Sequence, residues 1–201
     1  MESTLSHRGD GREGFERWEI DPERSRLTIS IRHIVVHQIR GRFLRWGGTL
    51  VVNRQQPRLS SVDVWIELAS ISTEDTERDL HVCSAEFFDV ARFPRAVFRS
   101  SEVTADGERF LVRGSLDLHG VVREVELTAN AIGTIQAPDD RERIKYSARG
   151  TLNRQDFGLH WNQDLDMGGV VVGDMVDLVA EIEALRTDTA GAPRTSRSDA
   201  R

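Results

Sequence analysis

The chain has 201 residues, of which 38% are apolar and 30% are charged. It is long enough for one sizeable hydrophobic core and short for two, so we expect a single domain. The formal net charge of -6 argues against a dedicated nucleic-acid-binding protein, because such proteins normally carry a basic excess on one face.

The two ends of the sequence are polar and rich in small residues. Residues 1–15 and 187–201 cannot bury enough apolar surface to offset the entropy of ordering, so we predict disordered tails around a domain at residues 16–186. The sequence has no secretory signal and no run of about 18 apolar residues. Cys83 is the single cysteine, so no internal disulfide can form. We therefore expect a cytoplasmic protein with no stable insertion in a membrane.

Apolar and polar residues alternate through most of the domain, which is the pattern of half-buried β-strands. In the first such segment, Leu27, Ile29 and Ile31 share a face with His33 and Val35. The alternation recurs in later segments at residues 61–70, 109–120, 123–133, 143–153 and 175–185. Alternating strands joined by short polar turns indicate antiparallel pairing in a barrel or a sandwich, of which we favour the barrel.

One segment interrupts this all-β pattern. The stretch SISTEDTERDLHVCSAEFF begins with Ser72, Thr73 and acidic residues that suit a helix N-cap and a first helical turn. Leu80, Cys83 and Phe87 then follow at roughly helical spacing. We predict a short helical excursion near residues 73–90.

Seven segments between Trp18 and Leu185 together resemble the YceI family of lipocalin-like barrels. Their order and spacing are those of the family. The segments are WEIDPERSRLTISIRH, RGRF, ASIST, RDLHVCSAEFFDVARFPRAVFRS, GSLDLHGVVREVEL, LNRQDFGL and GGVVVGDMVDLVAEIEA. The resemblance implies an antiparallel β-barrel of about eight strands, with the helical excursion near one mouth. It also implies that Arg78, Asp79 and His81 hold the excursion in place.

The resemblance implies binding rather than catalysis. Members of the family enclose a long isoprenoid or similar amphiphile in an elongated apolar cavity, and a barrel of this size can just hold a ligand. We expect this chain to bind, store or transport a polyisoprenoid, an isoprenoid quinone or a fatty acid derivative, with no cofactor, no metal and no nucleic acid. The expected ligand contacts are the inward residues Leu27, Ile29, Ile31, His33, Val64, Ile66, Val112, Leu116, Val125, Leu127, Tyr146 and Ile182.

Family members are often dimers, so we also expect a homodimer. Trp65 lies on the polar face of its strand, between Asp63 and Glu67. An exposed aromatic side chain there is a candidate anchor for a two-fold contact, because a symmetric dimer needs only one self-complementary patch.

The remaining polar residues give weaker signals. His33 and His37 are four apart, and on one strand they would lie some ~13 Å from each other, which does not suit a metal site. His33 is instead a candidate contact for a polar head group. In NRQDFGL, we expect Arg154 and Asp156 to form a structural ion pair that closes one barrel end; the alternative is a catalytic dyad.

Two other functions remain open at this point. One is an enzyme of the barrel mouth that uses His33, His81 or the Arg154 and Asp156 pair for acid–base chemistry on a bound amphiphile. The other is a stress-response or interaction protein whose barrel is filled by its own side chains. Small residues at inward positions argue against a filled barrel, because they leave room inside. These are Ala129, Ala131, Ala148 and Gly150.

Overall fold

The computed structural model describes residues 14–33, 37–136, 141–162 and 172–187. Val35 and nearly all of both predicted tails lie outside these ranges. The β-strands of the described part are β1 Phe15–Ile20, β2 Arg26–His33, β3 His37–Phe43, β4 Trp46–Asn53, β5 Ser61–Glu67, β6 Ile71–Ser72, β7 Arg95–Asp106, β8 Arg109–Leu118, β9 Val121–Gln136, β10 Glu142–Asn153 and β11 Val172–Arg186. One α-helix, α1 Thr76–Cys83, and three 3-10 turns at Pro57–Leu59, Leu68–Ser70 and Arg154–Phe157 complete the described elements.

Eight of the strands close into an antiparallel barrel. They follow one another in the order β1-β4-β5-β7-β8-β9-β10-β11, and β11 then pairs with β1, with Trp18 opposite Arg186. Trp18 is fully buried at this seam and packs with Leu50, Ile144 and Ala184. Closure removes the free sheet edges that an open sheet of alternating strands would expose. The predicted barrel of about eight strands is thus confirmed.

The long strand β11 has two neighbours on the same side. Its last residues pair with β1, whereas its earlier part pairs with β2, and the sheet continues from β2 to β3 and β6. The register of the β2–β3 pair sets His33 directly opposite His37. The expectation that the two histidines lie far apart along one strand is therefore wrong, because they belong to two paired antiparallel strands.

Turn chemistry fixes the register of the neighbouring strands β8 and β9. His119 and Gly120 join them, with φ angles of 55° and 73°. Two successive positive φ angles are those of a type I′ turn, which matches the twist of the two strands. At Gly114 of β8, a Cβ atom would run into the backbone carbonyl of Arg99 on β7, so a glycine is needed where the register between these strands shifts.

The predicted excursion contains the helix α1. Its N-cap is Asp75, whose carboxylate accepts a hydrogen bond from the Arg78 backbone N–H at 3.1 Å; Ser72 and Thr73 are not the cap. The Asp79 carboxylate accepts from the Thr73 hydroxyl at 2.6 Å, and the Arg78 guanidinium donates to the Thr73 carbonyl at 2.9 Å. The contacts of Arg78 and Asp79 thus tie the start of α1 to the chain just before it.

The side chains of α1 and of the segment after it divide between solvent and the barrel. Leu80 is 69% exposed. Cys83 and Phe87, which follow it at roughly helical spacing, pack against the core together with Val82. Among the described residues, no helix is long and apolar enough to cross a membrane.

An ion-pair cluster lies beside the β1–β11 seam. Arg143 on β10 donates to the Asp21 carboxylate at 2.7 Å and contacts the Glu183 carboxylate at 3.3 Å. Burial alone would raise the pKa of Asp21, but the Arg143 hydrogen bond, backbone N–H donors and the Arg143 charge outweigh it and lower the pKa. The Ser25 hydroxyl donates to the Glu183 carbonyl at 3.1 Å and accepts from the Glu183 N–H at 2.9 Å.

Candidate binding cavity

The barrel interior contains a first cavity of about 390 Å³, called cavity 1 here. Its walls are side chains of β4, β5 and β7 through β11 together with Leu27 of β2, and one end lies against the 3-10 turn Pro57–Leu59. The volume falls within the range of ordinary small-molecule sites, roughly 300–1,000 Å³. Most of its lining is aliphatic or aromatic.

A second cavity of about 250 Å³, cavity 2, lies toward α1. Strands β2 and β3 supply Ile29, Ile31 and Ile39 to its wall. The excursion and the segment after β10 close it with side chains that follow no strand periodicity: Val82, Phe87, Phe88, Leu159 and Trp161.

The two cavities meet at a ring of four aliphatic residues that line both, which we call the waist: Ile66, Leu116, Leu152 and Leu178. Ile66 and Leu116 are 8% and 7% exposed, whereas Leu152 and Leu178 are half-buried. The apolar wall is therefore continuous from cavity 1 through the waist to cavity 2.

Small side chains account for the space in cavity 1. Ala129, Ala131, Ala148 and Ala180 all line it. At Gly150, the place of a side chain is occupied by Leu127, whose Cδ2 would lie 2.5 Å from an added Cβ atom. Short side chains on facing strands leave a void that close packing would otherwise remove, which weighs against a barrel filled by its own side chains.

The polar groups of cavity 1 gather at one end. Arg54 lines it, and the Arg54 guanidinium is paired with the Glu16 carboxylate at 2.9 Å and the Glu142 carboxylate at 3.9 Å. Tyr146 points inward from β10, with its ring 6.4 Å from the Phe110 ring. Burial raises the pKa of the Tyr146 phenol, while the nearby Arg54 charge lowers it and the Glu16 charge raises it.

The polar groups of cavity 2 are engaged by other protein groups. Arg78 is bound to Thr73, as described above. The His81 ring lies edge-on to the Trp161 ring at 4.4 Å, and His81 Nε2 is 2.9 Å from the Glu86 carboxylate. His33 also has a partner.

Arg154 closes the far end of cavity 2. Its side chain is only 2% exposed, and it donates to the carbonyls of Leu159, Trp161, Val172 and Gly173. Its ionic partner is the Asp174 carboxylate at 3.2 Å. The prediction that Asp156 is this partner is wrong. The Asp156 carbonyl accepts a hydrogen bond from Arg123, and among the described residues no ion pair joins Asp156 to Arg154.

Every residue predicted to contact a ligand lines one of the two cavities. Cavity 1 holds Leu27, Val64, Ile66, Val112, Leu116, Val125, Leu127, Tyr146 and Ile182, and cavity 2 holds Ile29, Ile31 and His33. Whether these side chains touch a ligand stays a prediction. Sequence reasoning missed the loop residues of cavity 2, such as Phe88, Leu159 and Trp161, because no strand alternation marks them.

The described residues offer little for metal or nucleophile chemistry. Across residues 14–33, 37–136, 141–162 and 172–187, no group of three metal-ligating side chains lies together. Burial, followed by the Asp79 charge, raises the pKa of the Cys83 thiol, and a thiol with a raised pKa is a poor nucleophile at neutral pH.

Comparison with known proteins places these features in a family context. Residues 18–184 match the YceI-like domain family. Protein YceI of Escherichia coli O6:H1 is 32% identical over 171 residues, which cover 84% of this chain and 86% of that protein. The crystal structure of Burkholderia cenocepacia BcnA superimposes with a TM-score of 0.71 at 19% identity, covering 82% of this chain and 98% of BcnA.

A further solved structure carries a functional description. It is a polyisoprenoid binding domain from Saccharophagus degradans, implicated in plant cell wall breakdown. It superimposes with a TM-score of 0.61 at 18% identity and covers 85% of this chain and 98% of that domain. At this identity the likeness shows a shared fold.

Proposed function

The chain belongs to the YceI-like family, and on that premise we propose that it binds a long apolar amphiphile inside its barrel without catalysing a reaction on it. The ligand class is a polyisoprenoid, an isoprenoid quinone or a fatty acid derivative. The description of the Saccharophagus degradans domain as polyisoprenoid binding supports this class.

The observation that carries the proposal is the continuous apolar wall of the two cavities. Cavity 1 and cavity 2 share the waist residues and thus adjoin each other, and an elongated molecule that passes the waist would occupy both. A compact ligand would fill only one of them. The shape therefore favours a chain-like ligand.

The energetics favour the same ligand class. Each methylene-sized group moved from water into an apolar site contributes about 0.8 kcal/mol, whereas one neutral hydrogen bond contributes about 0.5–1.5 kcal/mol. Several buried chain groups thus outweigh a single polar contact. Chain length should dominate the affinity.

A binding role also fits the polar groups of cavity 2. Arg154 donates to four backbone carbonyls and to Asp174, and His81 is held by Glu86 and Trp161. Groups that are already fixed by protein partners serve to shape the cavity. No observation favours an enzyme over a carrier.

Assembly and location belong to the proposal as well. Trp65 is 39% exposed on the outer face of β5, with the Arg95 guanidinium 5.3 Å from its ring centroid, and this supports Trp65 as the anchor of a homodimer. The cytoplasmic location stays a prediction, which cell fractionation tests.

The experiment is native mass spectrometry of the purified protein, followed by organic extraction of whatever is bound. We expect a co-purified lipid of chain-like structure. Ala129→Trp places an indole in cavity 1 and should reduce the bound lipid, whereas the matched variant Thr128→Trp on the outer face of β9 should keep it. An empty wild-type barrel that also binds no added prenyl lipid contradicts the proposal.

A further inference from the structure

Tyr146 carries a polar group in cavity 1 that the protein itself does not use. Its side chain points inward on β10, between Ile144 and Ala148, at the end of the cavity that Arg54 lines. Among the described residues, no hydrogen bond joins the Tyr146 hydroxyl to another protein group. In the described part of the chain, Trp18 Nε1 is the one fully buried side-chain nitrogen or oxygen without a partner, so the Tyr146 hydroxyl keeps some accessible surface. A phenol buried among apolar groups usually has a hydrogen-bond partner.

The charges near Tyr146 are balanced. Arg54 is paired with Glu16 and Glu142, and Arg186 is paired with the same two carboxylates at 3.9 Å and 2.8 Å. Two cations therefore face two anions at this end of the barrel. An anionic head group would meet no unpaired cation in the described lining, because Arg54 is the one charged residue of cavity 1.

The polar side chains that line cavity 2, unlike the Tyr146 hydroxyl, are bound to other protein groups. Arg78, His81 and Arg154 each have protein partners within hydrogen-bond distance, and His33 has a partner too. Tyr146 of cavity 1 thus differs from the charged and histidine side chains of the described cavity lining, because its hydroxyl bonds to no described protein group. This difference between the two cavities favours one orientation of a bound amphiphile along the barrel.

We propose that the Tyr146 hydroxyl donates a hydrogen bond to an uncharged acceptor, such as a carbonyl oxygen, at the polar end of the ligand. The ligand is then a neutral long-chain compound, with its polar end in cavity 1 and its tail crossing the waist into cavity 2. This inference rests on the proposed function and deepens it.

The protonation state of Tyr146 agrees with a donor role. Burial is the largest influence on this phenol and raises its pKa above the ordinary value of 10.0. The group therefore stays protonated at neutral pH. A neutral donor pairs with a carbonyl or ether oxygen without bringing a charge into the cavity.

The test compares three probes that share one chain length: methyl palmitate, hexadecane and palmitate. Their affinities are measured by displacement of a fluorescent apolar dye from the wild-type protein and from Tyr146→Phe. The variant should bind methyl palmitate about 2- to 12-fold more weakly, which is the factor for one neutral hydrogen bond. Hexadecane should bind both proteins equally. The wild type should prefer methyl palmitate to palmitate.

A second measurement does not depend on the variant. Tyr146 is the only tyrosine of the chain, so labelling tyrosine with 13C at Cζ gives one signal. Methyl palmitate should shift that signal and hexadecane should shift it less, because only the ester oxygen accepts from the hydroxyl. Thr128→Val removes a hydroxyl from the outer face of β9, outside the lining of cavity 1, and serves as the control that should bind all probes as the wild type does.

The outcomes separate this inference from the proposed function. Equal affinities of Tyr146→Phe and wild type for methyl palmitate, or tighter wild-type binding of palmitate than of its ester, overturn the role of Tyr146 while the barrel remains a lipid binder. Failure of all three probes to bind the wild type overturns both.

Discussion

The waist predicts how affinity depends on ligand length. Leu178 is half-buried and lines both cavities, opposite Gly150 on β10 and Ile29 on β2. Leu178→Trp adds bulk at a position that lines both cavities. We expect it to block the passage between the cavities and to confine the ligand to cavity 1.

The magnitude follows from the size of cavity 2. Its 250 Å³ hold about eight methylene-sized groups, at ~30 Å³ for a group the size of water. Full transfer of each group contributes about 0.8 kcal/mol. We take the entropy lost on ordering the ligand chain to offset half of that value. Leu178→Trp then loses about 3 kcal/mol of binding free energy, or about 200-fold in affinity, for a ligand long enough to fill both cavities.

The assay is competitive binding with a series of straight-chain alcohols of increasing length. In the wild type, affinity should rise with each added methylene until both cavities are full. In Leu178→Trp, the plateau should come about eight methylene groups earlier, while short alcohols bind unchanged. The matched control is Val179→Trp, whose side chain lies on the outer face with 36% exposure. Equal weakening for short and long alcohols, or the same shortened plateau in the control, would show that the waist does not connect the two cavities.

Three further predictions concern stability and assembly. Arg154→Met should lower the free energy of unfolding in urea by about 3 kcal/mol, because it leaves buried carbonyls without a donor; a loss below about 1 kcal/mol would contradict this. Asp21 has a lowered pKa in the folded protein, so its contribution to stability is present above about pH 4 and is lost as pH falls through the folded pKa. In Asp21→Asn, the melting temperature should therefore fall less steeply as the pH is lowered below about pH 4. An unchanged dependence of the melting temperature on pH would count against the Arg143 contact. Trp65→Ala should weaken the homodimer more than tenfold in sedimentation, whereas a monomeric wild type at tens of micromolar would exclude the dimer.

The barrel could be predicted because its signal is local. In a strand, successive side chains point to opposite faces, so the alternation around Leu27, Val112 and Leu127 marks inward positions without any knowledge of pairing. All three line cavity 1. The closure of the barrel could be predicted only from the family resemblance, because no sequence pattern within β1 or β11 identifies the strand with which it pairs.

The parts that sequence reasoning missed depend on long-range contacts. Arg154 pairs with Asp174, twenty positions away, rather than with its near neighbour Asp156, because β10 and β11 are adjacent in the sheet. His33 lies opposite His37 because β2 and β3 pair as antiparallel strands. Likewise, the open hydroxyl of Tyr146 has meaning only once the partners of every other polar group in the cavities are known.

The most direct measurement is a crystal structure of the protein with a long polyprenyl alcohol. We expect continuous ligand density from Tyr146 in cavity 1, past Leu178 at the waist, and into cavity 2 against Trp161. Density confined to the outer surface, or cavities that stay empty at saturating alcohol, would contradict the claim that this barrel encloses a long apolar ligand.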